Sequence, residues 1–279
     1  MGRIAMTVRR AAFFDLDKTL IPGSSLFLLA RGLYERDMFR VRDLLRFAAG
    51  QVVFRLQGEA AGGMDLSRES TLDFVTGRSR NELIAWGKEI AEERIMPRVY
   101  EDIVKVVNDH RRRGDLTFLL TAAPVELAQV IADELRMTGA AGTEAEVDAA
   151  GFYTGRLGGP VMHGPEKAKA AAEIAAAHSV DLAECAAYSD SINDLPLLES
   201  VGYPHAVNPE RELRRIAFAR GWPIHELRTK RKALLIGIPA GIGGAALVGS
   251  GIALGVWLER RRAEADFGPL ERAARRLRL

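Results

Sequence analysis

A four-residue apolar run that closes on two carboxylates constrains this chain most. Ala11 to Phe14 is uninterrupted and apolar, and Asp15-Leu16-Asp17-Lys18-Thr19-Leu20 follows at once, then a turn at Ile21-Pro22-Gly23. A short apolar run bounded by turn residues reads as a strand buried on both faces, the kind found in parallel α/β sheets. An aspartate at the carboxyl end of such a strand lies where these sheets bind ligands. A second carboxylate two positions on can handle a proton or a metal beside the first. The pair suits a carboxylate nucleophile attacking phosphorus, with Mg²⁺ holding the anions together. Asp-x-Asp after a strand is also an ordinary solvated turn, so the rest of the chain decides.

From Ser24 to about Met96 apolar residues recur at helical spacing: Leu26, Leu29 and Leu33; Val41, Leu44, Leu45 and Ala48; Leu72 and Val75; Leu83, Trp86 and Ile90. This predicts a helical insert, broken at Gly62-Gly63, in the loop beside Asp15. Beyond it, Pro97 to His110 reads as a helix and Leu116 to Leu120 as a strand ending at Thr121. Pro124 to Met137 reads as a helix with Pro124 in its first turn. Gly151 to Leu157 reads as a hairpin, Pro165 to Ala177 as a helix and Ala186 to Ser189 as a strand ending at Asp190. Asn208-Pro209 is expected to start a helix that stops before Gly221. Alternating strands and helices predict an α/β fold: a Rossmann-like, doubly wound parallel sheet with an inserted all-helical cap. The domain plan is a core of residues 1–24 and 97–227, a cap of 25–96, a membrane segment with basic flanks over 228–262 and an Arg-rich tail over 263–279.

With 39 Lys+Arg against 37 Asp+Glu, charge is nearly balanced and gives no case for nucleic acid. The single cysteine, Cys185, excludes an intrachain disulfide and a multi-cysteine zinc site; its apolar surroundings predict an inert core thiol. No secretory signal is visible in residues 1–10.

The last quarter of the chain differs from the rest. Ala233 to Leu258 is an uncharged run of 26 residues. As a helix it would extend about 39 Å, against a bilayer core of ~30 Å. Arg228, Lys230, Arg231 and Lys232 precede it, Glu259 and Arg260 to Arg262 follow, and Trp257 stands at one edge. Its glycines and Pro239 make a poor soluble helix but are tolerated in lipid. Gly237-x-x-x-Gly241 and Gly251-x-x-x-Gly255 would allow close helix pairing, hence a homodimer through this segment. The expectation is a single-pass C-terminal transmembrane helix in the cell membrane, with the large domain on the cytoplasmic side.

Four further groups fall at element ends expected to converge on Asp15. Thr121 can hold a phosphoryl oxygen with its hydroxyl, helped by nearby backbone N–H groups. Lys167, opening a helix after Gly164-Pro165, can neutralise a transferring phosphoryl group. Asp190 can supply a metal carboxylate, and Asp194 can orient a metal-bound water or pair with Lys167.

On these motifs — Asp15-Leu16-Asp17-Lys18-Thr19, Thr121, Lys167, and Ser189-Asp190-Ser191-Ile192-Asn193-Asp194 — residues 11 to 227 resemble the haloacid dehalogenase superfamily. The specific likeness is to its subfamily IB, the helical-cap branch that includes phosphoserine phosphatase-like hydrolases. The resemblance implies a phosphomonoester hydrolase. Asp15 would form an aspartyl phosphate, and Asp17 would protonate the leaving alcohol and then activate water. Mg²⁺ would be bound by Asp15, the Asp17 backbone carbonyl and Asp190. Thr121, Ala122 and Lys167 would hold the phosphoryl oxygens, with Thr19 and Asp194 in support. Asp17 argues against carbon–halogen chemistry, since relatives that attack carbon lack this acid.

Two departures mark the substrate. Ser24 stands where phosphoserine phosphatases carry a glutamate for the substrate amine, and Ala122-Ala123 replaces their glycines. The membrane segment points to a lipid phosphate, and a soluble metabolite phosphate is the equal alternative. A membrane-tethered interaction module with a vestigial site is a further reading, opposed by the intact acidic and basic set. No Gly-x-x-x-x-Gly-Lys loop supports a kinase or nucleotide-binding role.

Overall fold

The computed structural model describes residues 9–36 and 75–227. Six strands form one sheet: β1 (Ala11–Phe14), β2 (Leu116–Pro124), β3 (Gly139–Thr143), β6 (Ala186–Ser189), β7 (Tyr203–Val207) and β8 (Ile224–His225). Their order is β3-β2-β1-β6-β7-β8 and every pairing is parallel. Strand order reverses between β1 and β6. That is the topological switch point, where a crevice opens beyond the carboxyl ends of the strands.

The pleat of β1 explains its uninterrupted apolar run. Ala12 and Phe14 face a core with Ile103 and Val107 of α3 (Glu101–Arg113) and Leu127 and Ile131 of α4 (Val125–Glu134). Ala11 and Phe13 face the opposite core, built with Ala171 and Ala175 of α5 (Pro165–Ala177), Leu197 of α6 (Leu195–Ser200), and Leu213 and Ala217 of α7 (Arg211–Arg220). A strand with no solvent face has no use for polar residues until it leaves the sheet, and Asp15 is where it leaves.

Between β1 and β2 the described residues are helical. They include α1 (Ser25–Glu35) and α2 (Arg80–Ile90), the latter running into a π turn at Ala91–Ile95. The two helices meet closely: a Cβ at Gly32 would stand 2.7 Å from the Ile90 side chain. Residues 37–74, the middle of the expected cap, lie outside the described residues.

Several boundaries differ from expectation. The helix expected from Pro97 begins at Glu101, after a 3-10 turn at Met96–Arg98. Strand β2 does not stop at Thr121 but continues to Pro124, because β3, a strand not foreseen, pairs with it out to Pro124↔Thr143. Pro124 therefore precedes its helix rather than opening it. The stretch expected as a hairpin, Gly151 to Leu157, supplies only one strand, β5 (Tyr153–Leu157), which pairs antiparallel with β4 (Ala145–Val147) upstream of the expected bounds. The helix expected at Asn208-Pro209 starts at Arg211. Among the described residues no helix is long and apolar enough to cross a membrane. The run 233–258 lies outside them, as does the Arg-rich tail. Cys185 is fully buried, and burial raises its thiol pKa.

Candidate active site

The switch point sets Asp15 beside the end of β6. Its N–H donates to the Tyr188 carbonyl at 2.9 Å, which continues the β1–β6 ladder by one bond. Asp190 follows Ser189, the last residue of β6. The two carboxylates therefore leave adjacent parallel strands in the same direction, and both are buried, at 6% and 3% exposure.

Lys167 reaches them from α5. Gly164 precedes that helix at φ 55, a left-handed conformation that suits glycine, and Pro165 then opens it. The tight entry places Lys167 in the first turn, with its N–H on the Gly164 carbonyl at 3.1 Å. Its side chain is buried. Nζ donates to Asp15 Oδ1 at 2.6 Å and to Asp194 Oδ2 at 2.7 Å. Ser189 Oγ also donates to Asp194 Oδ2, at 2.7 Å, and Thr19 Oγ1 donates to Asp15 Oδ2 at 3.1 Å. The structure thus brings together Asp15, Thr19, Lys167 and Asp194 in one hydrogen-bonded group. Asp190 lies beside it, 3.4 Å from the ammonium of Lys18.

Asp17 stands apart from this group. Its Oδ1 accepts from the Ser25 N–H at 2.8 Å, so the first residue of α1 holds it. Ser25 Oγ is buried and accepts or donates no hydrogen bond. Thr121 is buried in β2, and its Oγ1 accepts from the Ala123 N–H at 3.1 Å. Ala122 is exposed, and its carbonyl accepts from Thr143 Oγ1 at 2.8 Å. Ser24 Oγ accepts from the Phe27 N–H at 3.4 Å and so caps α1.

Burial dominates the electrostatics. It pushes the Asp15 carboxyl up to about 7 even though Lys167 pulls the other way. It pushes Asp190 up to about 6, against the pull of Lys18. Burial opposes the charge of Lys167 too, yet Asp15 and Asp194 outweigh it and the ammonium is held more firmly than usual. Of three buried carboxylates, Asp15 and Asp194 share the one buried ammonium, Asp190 faces the half-exposed Lys18, and Asp194 Oδ1 is buried with no hydrogen-bond partner. The crevice is therefore short of positive charge and of donors, and a divalent cation with its waters fits that deficit. No three His, Cys, Asp or Glu side chains among the described residues form a cation cage. A hard cation that keeps waters and uses two carboxylates with a backbone carbonyl needs no such cage.

A family model for haloacid dehalogenase-like hydrolases matches residues 12–199, a range that includes Asp15, Lys167, Asp190 and Asp194. The chain belongs to the haloacid dehalogenase-like hydrolase family. It is 43% identical over 254 residues to the Mycobacterium tuberculosis protein named phosphoserine phosphatase SerB1, covering 90% of this chain and 81% of that one. The crystal structure of a protein with unknown function from Bordetella pertussis matches with a TM-score of 0.71 and 33% identity. It covers 80% of this chain and 100% of that one. A phosphoserine phosphatase solved as a phospho-aspartyl intermediate analogue has the same fold, with a TM-score of 0.57 and 17% identity over 82% of this chain and 99% of that one.

Sequence reading missed two residues that bond to these carboxylates and a third outside the group. Ser189 is one, readable only as the last residue of a strand. Ser25 contributes a backbone N–H, which leaves no trace in residue identity. Asn208 is the third: it bonds to none of the carboxylates, and its Nδ2 donates to the Lys18 carbonyl at 3.2 Å.

Proposed function

We propose that this protein is a Mg²⁺-dependent phosphomonoester hydrolase that works through an aspartyl phosphate on Asp15. The observation that carries the reading is the Lys167 bridge, one buried ammonium within 2.7 Å of both Asp15 and Asp194. Asp15 Oδ attacks phosphorus in line with the departing alcohol oxygen, the P–O bond to that oxygen breaks, and an acyl phosphate forms. Asp17 gives its proton to the alcohol and then takes one from the water that hydrolyses the intermediate. Lys167 offsets charge on the equatorial oxygens, while Asp194 and Ser189 fix its position. Thr121 Oγ1 and the Ala122 backbone, near the carboxyl end of β2, would receive phosphoryl oxygens. Asp15, Asp190 and the Asp17 carbonyl would hold Mg²⁺, which would supply the missing positive charge at the transferring group.

Residues 25–96 are read as the helical cap, and 233–258 as a membrane anchor for a catalytic domain on the cytoplasmic side. The uncharged run and its basic flanks support the anchor, and its glycines make a homodimer possible in the same segment. The substrate class is a phosphomonoester, either a small metabolite or a lipid phosphate presented at the membrane. Phosphoserine is a second reading, favoured by the name of the Mycobacterium tuberculosis relative. Ser24 weighs against it, since that side chain caps α1 and offers no charge to an amine.

The test is hydrolysis by the full chain in detergent with Mg²⁺. Substrates are an aryl phosphate, phosphoserine, sugar and alcohol phosphates and lysophospholipid phosphates. Turnover should require Mg²⁺ and vanish in Asp15→Asn. Turnover retained by that variant would remove the nucleophile assignment, and selective cleavage of phosphoserine would select the second reading.

A further inference from the structure

Asn208-Pro209 reads in sequence as a helix cap, and the structure uses it for something else. Helix α7 begins at Arg211, and Glu210 at its cap position makes no side-chain cap bond. The amide of Asn208 spans two other segments. Nδ2 donates to the Lys18 carbonyl at 3.2 Å, and Oδ1 accepts from the Leu227 N–H at 2.8 Å. The Asn208 N–H donates to the His225 carbonyl at 2.8 Å. Its backbone lies at φ 44, in the left-handed region that asparagine tolerates better than most residues.

Two residues on, the Glu210 N–H donates to the Asp190 carbonyl at 2.9 Å, and Glu210 Oε1 accepts from the Ile192 N–H at 2.8 Å. Pro209 joins the two anchors and is buried, with its own φ fixed by the ring. One stiff tripeptide is therefore bonded to both carboxylate-bearing loops. Asn208 holds the loop of Asp15 and Asp17 at the residue directly after Asp17. Glu210 holds the loop of Asp190 at that residue's own carbonyl and again two residues further on, at the Ile192 N–H. Neither side chain has a hydrogen bond to Asp15, Asp17, Lys167 or Asp194.

We propose that Asn208-Pro209-Glu210 is a positioning clamp that sets the separation of the Asp15–Asp17 loop from the Asp190 loop, and thereby the affinity of the site for a divalent cation. Mg²⁺ requires near-ideal octahedral geometry at about 2.0–2.1 Å, so small play between the two loops weakens it steeply. The clamp lies outside the ligand set, in the manner of the outer contacts that orient metal ligands, whose loss typically costs about 10–100-fold in affinity. The inference rests on the divalent-cation reading above, and its test separates the two.

Mn²⁺ binding to the full chain in detergent is followed by electron paramagnetic resonance, for wild type and Asn208→Gly. Glycine keeps the left-handed backbone and removes both side-chain bonds. The variant should bind Mn²⁺ roughly 10-fold more weakly. Its hydrolysis of an aryl phosphate should need correspondingly more Mg²⁺, with kcat and KM near wild type once the metal saturates. Equal Mn²⁺ affinity in the two proteins overturns the clamp. So does a kcat loss that excess Mg²⁺ does not restore. Wild type that binds no Mn²⁺ overturns the cation reading, and the clamp with it. A second measurement needs no variant. Clamp and cation are linked, so Mg²⁺ should slow amide hydrogen exchange at Leu227 and Ile192 of wild type. Exchange at both positions that ignores Mg²⁺ overturns the clamp even if Asn208→Gly fails to fold.

Discussion

Strands β1 and β6 each lead into two buried polar environments one or two residues apart, and the two solve desolvation in opposite ways. At the strand ends, Asp15 and Asp190 with Lys167 and Asp194 form a charged group. Further back along the strands, Phe14, one residue before Asp15, and Tyr188, two before Asp190, belong to a group of aromatic rings and neutral imidazoles. The Tyr188 ring is stacked between Phe14 at 4.6 Å and His205 at 4.5 Å, and its hydroxyl meets His110 Nε2 at 2.9 Å. His205 Nδ1 lies 3.0 Å from His225 Nε2, and His110 Nδ1 lies 2.8 Å from Asp115 Oδ2. Burial acts on both. It pushes the histidines toward neutrality, His205 to about 4, and neighbouring protein groups satisfy them: His225 for His205, and Tyr188, Asp115 and Arg113 for His110. It pushes the carboxylates up, but their partner is an ammonium, so charge persists and the group stays short of cations. A polar cluster that closes on itself is scaffold; one left open to an outside ligand is a site.

The sharpest way to break this contrast is Asp15→Asn. It should lower kcat by about 10⁴-fold or more, since no other group can become phosphorylated. It also removes one of three crowded buried carboxylates, so the unfolding midpoint should hold or rise. A variant that loses stability along with activity would mean that the charged group is scaffold too.

Lys167→Met ranks next. The loss of the shared ammonium leaves Asp15 and Asp194 buried without their cation, at a cost of about 3 kcal/mol in stability at neutral pH. Turnover should fall by roughly 10²–10³-fold from lost charge stabilisation. Urea unfolding and saturation kinetics on the same preparation measure both. A variant as stable as wild type would show that the bridge to Asp15 and Asp194 does not hold the charged group together.

What the sequence allowed to be read follows the same physical division. The bounds of β1, α5 and β6 match expectation, because each rests on an uninterrupted apolar run or on a Gly-Pro entry that leaves few alternatives. β3 was not legible. Gly139-Ala140-Ala141-Gly142-Thr143 has poor strand propensity and becomes a strand through pairing with β2. β7 carries Pro204 and His205, and β8 is two residues long, so neither shows an apolar run. At the site, acidic and basic side chains announce themselves at element ends, which is why Asp15, Lys167 and Asp194 were readable as a group. Asn208 was misread because its amide serves residues 190 positions before and 19 positions after it, and only the folded chain brings those together.

The smallest expected effect tests the neutral half of the contrast. His205 has its pKa lowered in the folded chain to about 4, by burial first and by the neighbouring His225 and His110 next. In the unfolded chain it takes a proton near 6.5. The unfolded state therefore binds more protons between those values, so His205 contributes stability that is complete above about 6.5 and is lost as pH falls toward 4. After allowance for partial exposure the swing is about 1–2 kcal/mol. His205→Phe keeps a ring on Tyr188 and removes the titration. Its urea midpoint should vary less than that of wild type between pH 7.5 and pH 5, while its kcat at pH 7.5 stays within about 2-fold. Carboxylates protonate in both proteins, so only the difference between the two curves counts. Parallel curves would mean that the histidines are not held neutral by the fold, and a large loss of kcat at pH 7.5 would mean that the stack beneath the crevice is part of the site after all.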